Sequence, residues 1–185
     1  MSLTESEKSI LRDILNTPRK PPTKDQKYLV IDGFNLIFRL FCGMESVNES
    51  GEPCQILSGF IVSIGSVIST LEPDSIILVW DGKGSGSERK AIYPGYKSGK
   101  RAHVTRFKYR NDEEREISLK SQLSRLKSYL TSIPITQIGV DYLEADDIIS
   151  HLCTNLLLGK EIVIYSTDKD FYQLLSDENK TYIYN

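Results

Sequence analysis

The sequence has few of the side chains that build zinc sites and disulfide frameworks. Its 185 residues include three cysteines and two histidines. Cys42, Cys54 and Cys153 are far apart and form no C-x-x-C pair, which favours free thiols in a reducing compartment over disulfides or metal ligands. Because histidine is scarce, any metal would be held by oxygen, the ligand that magnesium and manganese prefer.

Long apolar runs are also missing. No stretch reaches the roughly 20 residues that cross a bilayer as a helix, and the N-terminus has no apolar signal-peptide core. A chain with 39% hydrophobic and 26% charged residues has the composition of a globular protein. We therefore expect one folded domain in the cytoplasm, without a membrane partner.

The net charge of −2 conceals a strongly basic segment, residues 83–110. It holds nine Lys or Arg and a single acid, Glu88. Four aromatic residues are interleaved with the cations: Tyr93, Tyr96, Phe107 and Tyr109. Such a run is often only a solvated loop. Cations for phosphates together with aromatic rings for bases are nevertheless typical of a surface that binds single-stranded nucleic acid.

The order of predicted elements indicates an α/β fold. Residues 2–16 are predicted to form an amphipathic helix, followed by a proline-rich linker. Beyond it, apolar strands alternate with helices, which implies right-handed crossovers and a mostly parallel sheet. The predicted strands are 28–32, 75–81, 135–139, 161–166 and 180–185; the predicted helices are 55–71, 112–130, 144–159 and 169–175.

Acidic residues follow the predicted strands. Asp32, Asp81 and Asp168 each stand at the C-terminal end of a strand, the edge at which parallel sheets bind ligands. The remaining acids of the set are Glu144, Asp146, Asp147 and Asp170. Helix capping explains any one of them. Seven carboxylates at one edge would repel each other strongly, and divalent cations would remove that repulsion.

Five motifs in order resemble the nuclease domain of the 5′ nucleases: "VIDGFNLIFRLF", "GEPCQILSGF", "RKAIYPGYKSGKR", "EADDIISHL" and "STDKDFYQLLSD". That family comprises flap endonucleases, the 5′–3′ exonuclease part of bacterial DNA polymerase I and bacteriophage enzymes. The resemblance implies a PIN-like, three-layer α/β domain over residues 27–185, with a flexible basic arch and an N-terminal helix and linker, 1–26, outside it. It also implies hydrolysis of DNA near a 5′ end or 5′ flap, in the replication or repair of a bacterial cell or a phage-infected host, with an RNA–DNA hybrid as a further substrate.

The resemblance also assigns roles by position. Two ions, Mg²⁺ or Mn²⁺, would lie in the acidic cleft: the first near Asp32, Asp81, Glu144 and Asp146, the second near Asp147, Asp168 and Asp170. Lys97 would contact the scissile phosphate, so the catalytic set is Lys97 with Asp32, Asp81 and Asp146. The remaining nucleic-acid contacts would be Arg39, Arg89, Tyr93, Tyr96, Lys100 and Arg101.

Two further segments of the family pattern do not occur before Asn185. They are a Gly-Asp…Asp-Asn motif, which completes the second metal site, and a helix–hairpin–helix module. The second site is therefore expected to be incomplete in this chain. Three alternatives stay open: a non-catalytic nucleic-acid-binding half that needs a partner segment, a PIN-type ribonuclease, and a phosphatase with an aspartate nucleophile.

Overall fold

A parallel five-stranded sheet forms the centre of the molecule. The computed structural model describes residues 26–93, 104–177 and 180–185. The strands are β1 (Lys27–Asp32), β2 (Ser75–Asp81), β3 (Thr136–Val140), β4 (Glu161–Tyr165) and β5 (Thr181–Tyr184). Their order across the sheet is β3-β2-β1-β4-β5, and every neighbouring pair is parallel. The α/β fold with a mostly parallel sheet is confirmed.

Helices cover both faces of this sheet. They are α1 (Gly33–Gly43), α2 (Gln55–Leu71), α3 (Ser87–Ile92), α4 (Asp112–Leu130) and α5 (Ala145–His151). A π-helical turn, Leu152–Leu156, continues α5, and a 3₁₀ helix, Lys169–Leu174, follows β4. Connections from strand to helix to the next parallel strand put α1, α2 and α4 on one face and α5 on the other, whereas the short α3 lies in the connection between β2 and α4.

The side chains of each central strand divide between two cores. Leu29 and Ile31 of β1 pack with α1, α2 and α4, whereas Val30 packs with α5 and the π-helical turn. Successive strand residues point to opposite faces, so an unbroken apolar run such as "LVI" needs a helical layer on each side. The result is the expected arrangement of three layers.

Most predicted elements agree with the structure to within one or two residues, and two differ. The predicted helix 144–159 changes from α to π geometry at Leu152, where the wider turn keeps Cys153 and Leu157 in the core under the sheet. The short helix α3 lies at the start of the segment for which the resemblance implies a flexible basic arch. It forms after Gly84 and Gly86, both with positive φ, and its Arg89 side chain binds acids of α5.

The described C-terminal part of the basic segment is anchored to the core. Tyr109 stacks on Phe41 of α1 at a centroid distance of 5.6 Å and accepts a hydrogen bond from Gln55 of α2. Phe107 packs against Tyr109 at 4.8 Å. Of the four aromatic residues interleaved with the cations, Tyr109 therefore has its ring against α1.

The predicted N-terminal helix and linker lie mostly outside the described residues, as do positions 94–103 of the expected basic arch. None of the helices in the described ranges combines the length and apolar character needed to cross a bilayer.

Candidate metal centre

Two aspartates end neighbouring strands at the carboxyl edge of the sheet. Asp32 is the last residue of β1, and Asp81 is the last residue of β2. Asp32 pairs with Val79, so Asp81 lies only two residues further along the neighbouring strand. Since all strands run the same way, the residues that follow them meet at this one edge. The sequence expectation that acids from separate segments converge here agrees with this arrangement.

Each of these aspartates is followed by a glycine that permits a close approach of the backbone. A Cβ atom on Gly82 would lie 1.7 Å from the carbonyl oxygen of Val140, and one on Gly33 would lie 2.7 Å from that of Val79. A side chain at either position would collide with backbone. The Asp-Gly pairs therefore hold Asp32 and Asp81 tightly against the neighbouring strand ends.

Asp32 has a strongly perturbed carboxyl group. It caps α1 by accepting the backbone N–H of Asn35 at 3.1 Å, and its other oxygen accepts the hydroxyl of Ser166 at 3.2 Å. Its pKa is raised from 3.8 to about 6, first by burial and then by the charges of Asp81 and Asp168, against the opposing effect of the two hydrogen bonds. Burial and the neighbouring charges disfavour the ionised form of this carboxyl, and a bound cation would stabilise that form.

Asp81 reaches across to the start of α5. Its Oδ1 accepts the backbone N–H of Ala145 at 2.7 Å, so a residue that ends β2 caps a helix that follows β3. Glu144, at the N-cap position itself, makes no side-chain cap bond. Its carboxylate is left for other partners in the cleft.

Three acids at the start of α5 form a compact group. One carboxylate oxygen from each of Glu144, Asp146 and Asp147 lies within 4.8 Å of the others. Burial and then the charges of its two acidic neighbours raise the pKa of Asp146. The guanidinium of Arg89 binds this group: it donates to Glu144 and, at 2.7 Å, to Asp147, with Asp146 at 3.7 Å.

The loop after β4 carries the last two acids. Asp168 accepts the N–H of Asp170 at 3.0 Å and so caps the 3₁₀ helix, and both side chains are exposed. Two side chains that the sequence reasoning overlooked tie this loop to α1. Asn35 Oδ1 accepts the amide and the hydroxyl of Thr167, at 3.2 and 3.0 Å. Ser166 donates to Asp32 and accepts the N–H of Asp168 at 3.1 Å.

Capping and metal binding are compatible for these acids. A carboxylate has two oxygens with several lone pairs, so one hydrogen bond to each oxygen, as in Asp32, still leaves lone pairs for an ion. Asp32, Asp81 and Asp168 all accept backbone N–H groups at the start of a helix, which agrees with the interpretation that these acids are helix caps. The donor set is all oxygen and carries a large negative charge, which fits a hard divalent cation such as Mg²⁺ or Mn²⁺.

The predicted nucleic-acid contacts divide into three groups. Arg39 lies 4.9 Å from the ring centroid of Tyr165, and Arg89 binds the acids of α5. Tyr93, just after α3, is 66% exposed. Tyr96, Lys97, Lys100 and Arg101 lie outside the described residues, and their assigned roles stay predictions.

Comparison with known proteins identifies the class to which this fold and site belong. Residues 27–185 match the model of a family described as "5′-3′ exonuclease, N-terminal resolvase-like domain". The chain belongs to this family of 5′ nucleases.

Curated relatives agree with that assignment. The chain is 33% identical over 153 residues to flap endonuclease Xni of Shewanella piezotolerans, a match that covers 80% of this chain and 52% of the relative. It is 27% identical to a 5′-3′ exonuclease of Bacillus subtilis, covering 83% and 49%. It is 31% identical to the thermostable DNA polymerase I of Thermus aquaticus, covering 82% and 17%. The chain thus spans about half of the two nucleases and a small part of the polymerase.

Solved structures share the fold. The phage T5 D15 protein co-crystallised with metal ions superposes with a TM-score of 0.61 at 20% identity, over 86% of this chain and 55% of that one. A T5 D15 flap endonuclease complex with DNA and metal ions gives 0.57 at 16% identity, over 86% and 55%.

Proposed function

We propose that this chain is the nuclease part of a divalent-metal-dependent 5′–3′ exonuclease and flap endonuclease that hydrolyses DNA near 5′ ends. The observation that carries the proposal is the convergence of acids from four chain segments on one sheet edge, beside the start of the basic segment. Family membership and the flap endonuclease and exonuclease names of the relatives support it. Its setting would be a bacterial cell or a phage-infected host, in replication or repair.

The acids of the sheet edge would hold the ions. Asp32, Asp81, Glu144 and Asp146 would bind the first Mg²⁺ or Mn²⁺, and Asp147, Asp168 and Asp170 would lie toward a second. Such ions activate the attacking water and stabilise the negative charge that builds on the attacking and leaving oxygens. Asn35 and Ser166 would keep the β4 loop at a fixed distance from Asp32.

The basic segment would hold the DNA strand. Lys97 would contact the scissile phosphate and stabilise the charge that develops on it. Tyr93 and Tyr96 would stack on bases, and Arg39, Arg89, Lys100 and Arg101 would contact backbone phosphates. This division follows from the residue types and from the resemblance, since phosphate contacts position a strand without reading its sequence.

A cleavage assay on the whole gene product tests the proposal. We expect Mg²⁺-dependent cutting of a labelled 5′-flap DNA near the junction, with an RNA–DNA hybrid cut as well and no cutting in EDTA. Binding without cutting would favour the nucleic-acid-binding alternative. Cutting of an all-RNA flap in preference to DNA would favour a PIN-type ribonuclease.

Affinity for flap DNA should fall steeply with salt. Every cation that neutralises a phosphate releases a counterion, so removal of one contact lowers the slope of log K against log salt by about one. We expect this change in Lys100→Ala and in Arg101→Ala, measured in Ca²⁺ by fluorescence anisotropy. Lys160→Ala, at the opposite end of β4, is the matched control and should keep the slope. If Lys100→Ala and Arg101→Ala both kept the slope of the intact chain, neither residue would contact a phosphate and the basic segment would be only a solvated loop.

A further inference from the structure

The contact between Arg89 and the start of α5 joins the basic segment to the candidate metal centre. Arg89 lies on α3, at the beginning of the basic segment, and its guanidinium reaches three acids that are 55 to 58 residues away in sequence. Two of these acids, Glu144 and Asp146, belong to the expected first metal site. The arginine therefore contacts two of the four acids that would hold the first ion.

The burial of Glu144 makes the loss of this contact costly. The Glu144 side chain is only 7% exposed, whereas Arg89 is 40% exposed. A buried carboxylate without a cationic partner is strongly destabilising, and a guanidinium fork satisfies two carboxylates at once. In the protein without metal, Arg89 therefore provides the positive charge that the acids of α5 require.

We propose that Arg89 is an internal counterion that competes with the divalent metal for Glu144 and Asp146, so that metal binding releases Arg89 from α5. The proposal rests on the proposed metal-dependent function and adds a residue that sets the affinity for the metal. A guanidinium and a divalent ion held against the same carboxylates repel each other, so each one disfavours the binding of the other. The apparent metal affinity is therefore reduced by the fraction of molecules in which Arg89 holds the site.

The exchange also couples the metal centre to the basic segment. While Arg89 binds α5, helix α3 is fixed against the sheet edge. Once an ion takes the carboxylates, that contact is lost and the guanidinium, which stays positively charged throughout, leaves the acidic group. Metal binding would thus change the position of the first part of the basic segment before any DNA is present.

Affinity measurements separate displacement from a general field effect. Arg89→Ala should bind Mn²⁺ about ten-fold or more tightly than the intact chain, by analogy with removal of a competing state. Lys90→Ala removes the same charge from the next residue of α3, which is exposed, and should change the affinity much less. Arg89→Lys keeps the charge but loses the fork and should fall between them.

A spectroscopic measurement tests the displacement itself and needs no destabilised variant. The Nη–H signals of Arg89, assigned by their loss in Arg89→Lys, should exchange slowly with solvent in EDTA and lose that protection in saturating Mg²⁺. If Mn²⁺ binds but Arg89→Ala and Lys90→Ala have equal affinities and the signals stay protected, the competition is refuted while the metal site stands. If no variant binds metal, the proposed function fails and the competition with it.

Discussion

Asp32→Asn should reduce metal-dependent cleavage about a hundred-fold or more and at the same time stabilise the metal-free protein. Asparagine keeps the cap on α1, since its side-chain oxygen can accept the Asn35 N–H. It removes the negative charge that burial, Asp81 and Asp168 disfavour. The negative charge of Asp32 binds the ion and so supports cleavage, but it destabilises the folded protein when no metal is bound. The substitution therefore lowers activity and raises stability.

The direction of the stability change follows from the raised pKa of Asp32. The folded protein binds this proton more tightly than the unfolded chain, so the contribution of Asp32 to stability is most favourable below about pH 4. It is lost as the pH rises to about 6 and is constant above that. A shift of about two pKa units corresponds to about 3 kcal/mol, an upper value because asparagine is also polar.

Melting in EDTA at pH 7 measures this effect. A gain of about 2 kcal/mol raises the Tm of a protein of this size by about 4–8 °C, and the pH dependence between 4 and 6 should flatten. Cleavage should fall about a hundred-fold or more, since metal ligands supply several kcal/mol to phosphoryl transfer. Asp74→Asn, which alters the aspartate that accepts the Lys27 N–H at the start of β1, is the control and should leave cleavage intact. A lower Tm with normal cleavage would show that Asp32 is a structural cap alone.

Lys97→Ala should reduce single-turnover cleavage about a hundred-fold or more while the dissociation constant for DNA changes little. Negative charge develops on the scissile phosphate during the reaction. A cation beside that phosphate therefore stabilises the transition state more than the ground state. Arg101→Ala should do the reverse and weaken binding by about 1 kcal/mol with nearly normal single-turnover cleavage at saturating DNA.

This pair of variants serves as its own control, because both lie in the motif "GYKSGKR" and both remove one charge. The measurement is single-turnover quench flow on a 5′ flap, with binding measured separately in Ca²⁺. Equal losses of affinity in both variants, without a loss of rate in Lys97→Ala, would give Lys97 no special role.

The convergence of the acids on one edge of the sheet could be predicted, because it depends only on the direction of the strands. Apolar runs such as those ending at Asp32 and Asp81 identify strands, and alternation with helices makes the strands parallel. Acids after such strands must then meet at one edge. Neither inference requires a known contact between distant residues.

Contacts between side chains could not be predicted in this way. The binding of Arg89 to the acids of α5 joins positions 55 to 58 residues apart, and a basic residue beside aromatics is equally consistent with a phosphate contact. Tyr109 illustrates the same difficulty: its ring can stack on a base or on Phe41, and only packing decides. Asn35 and Ser166 could not be predicted as part of the site, because one amide and one hydroxyl near a turn are common without any role in a site.

Counting free Mn²⁺ by electron paramagnetic resonance tests the central claim most directly. If the acids at the carboxyl edge form a metal site, the chain should remove at least one equivalent of Mn²⁺ from solution. Asp32→Asn and Asp146→Asn should weaken that binding greatly, and Asp74→Asn should retain it. A free Mn²⁺ signal that is the same with and without the intact chain would contradict the account.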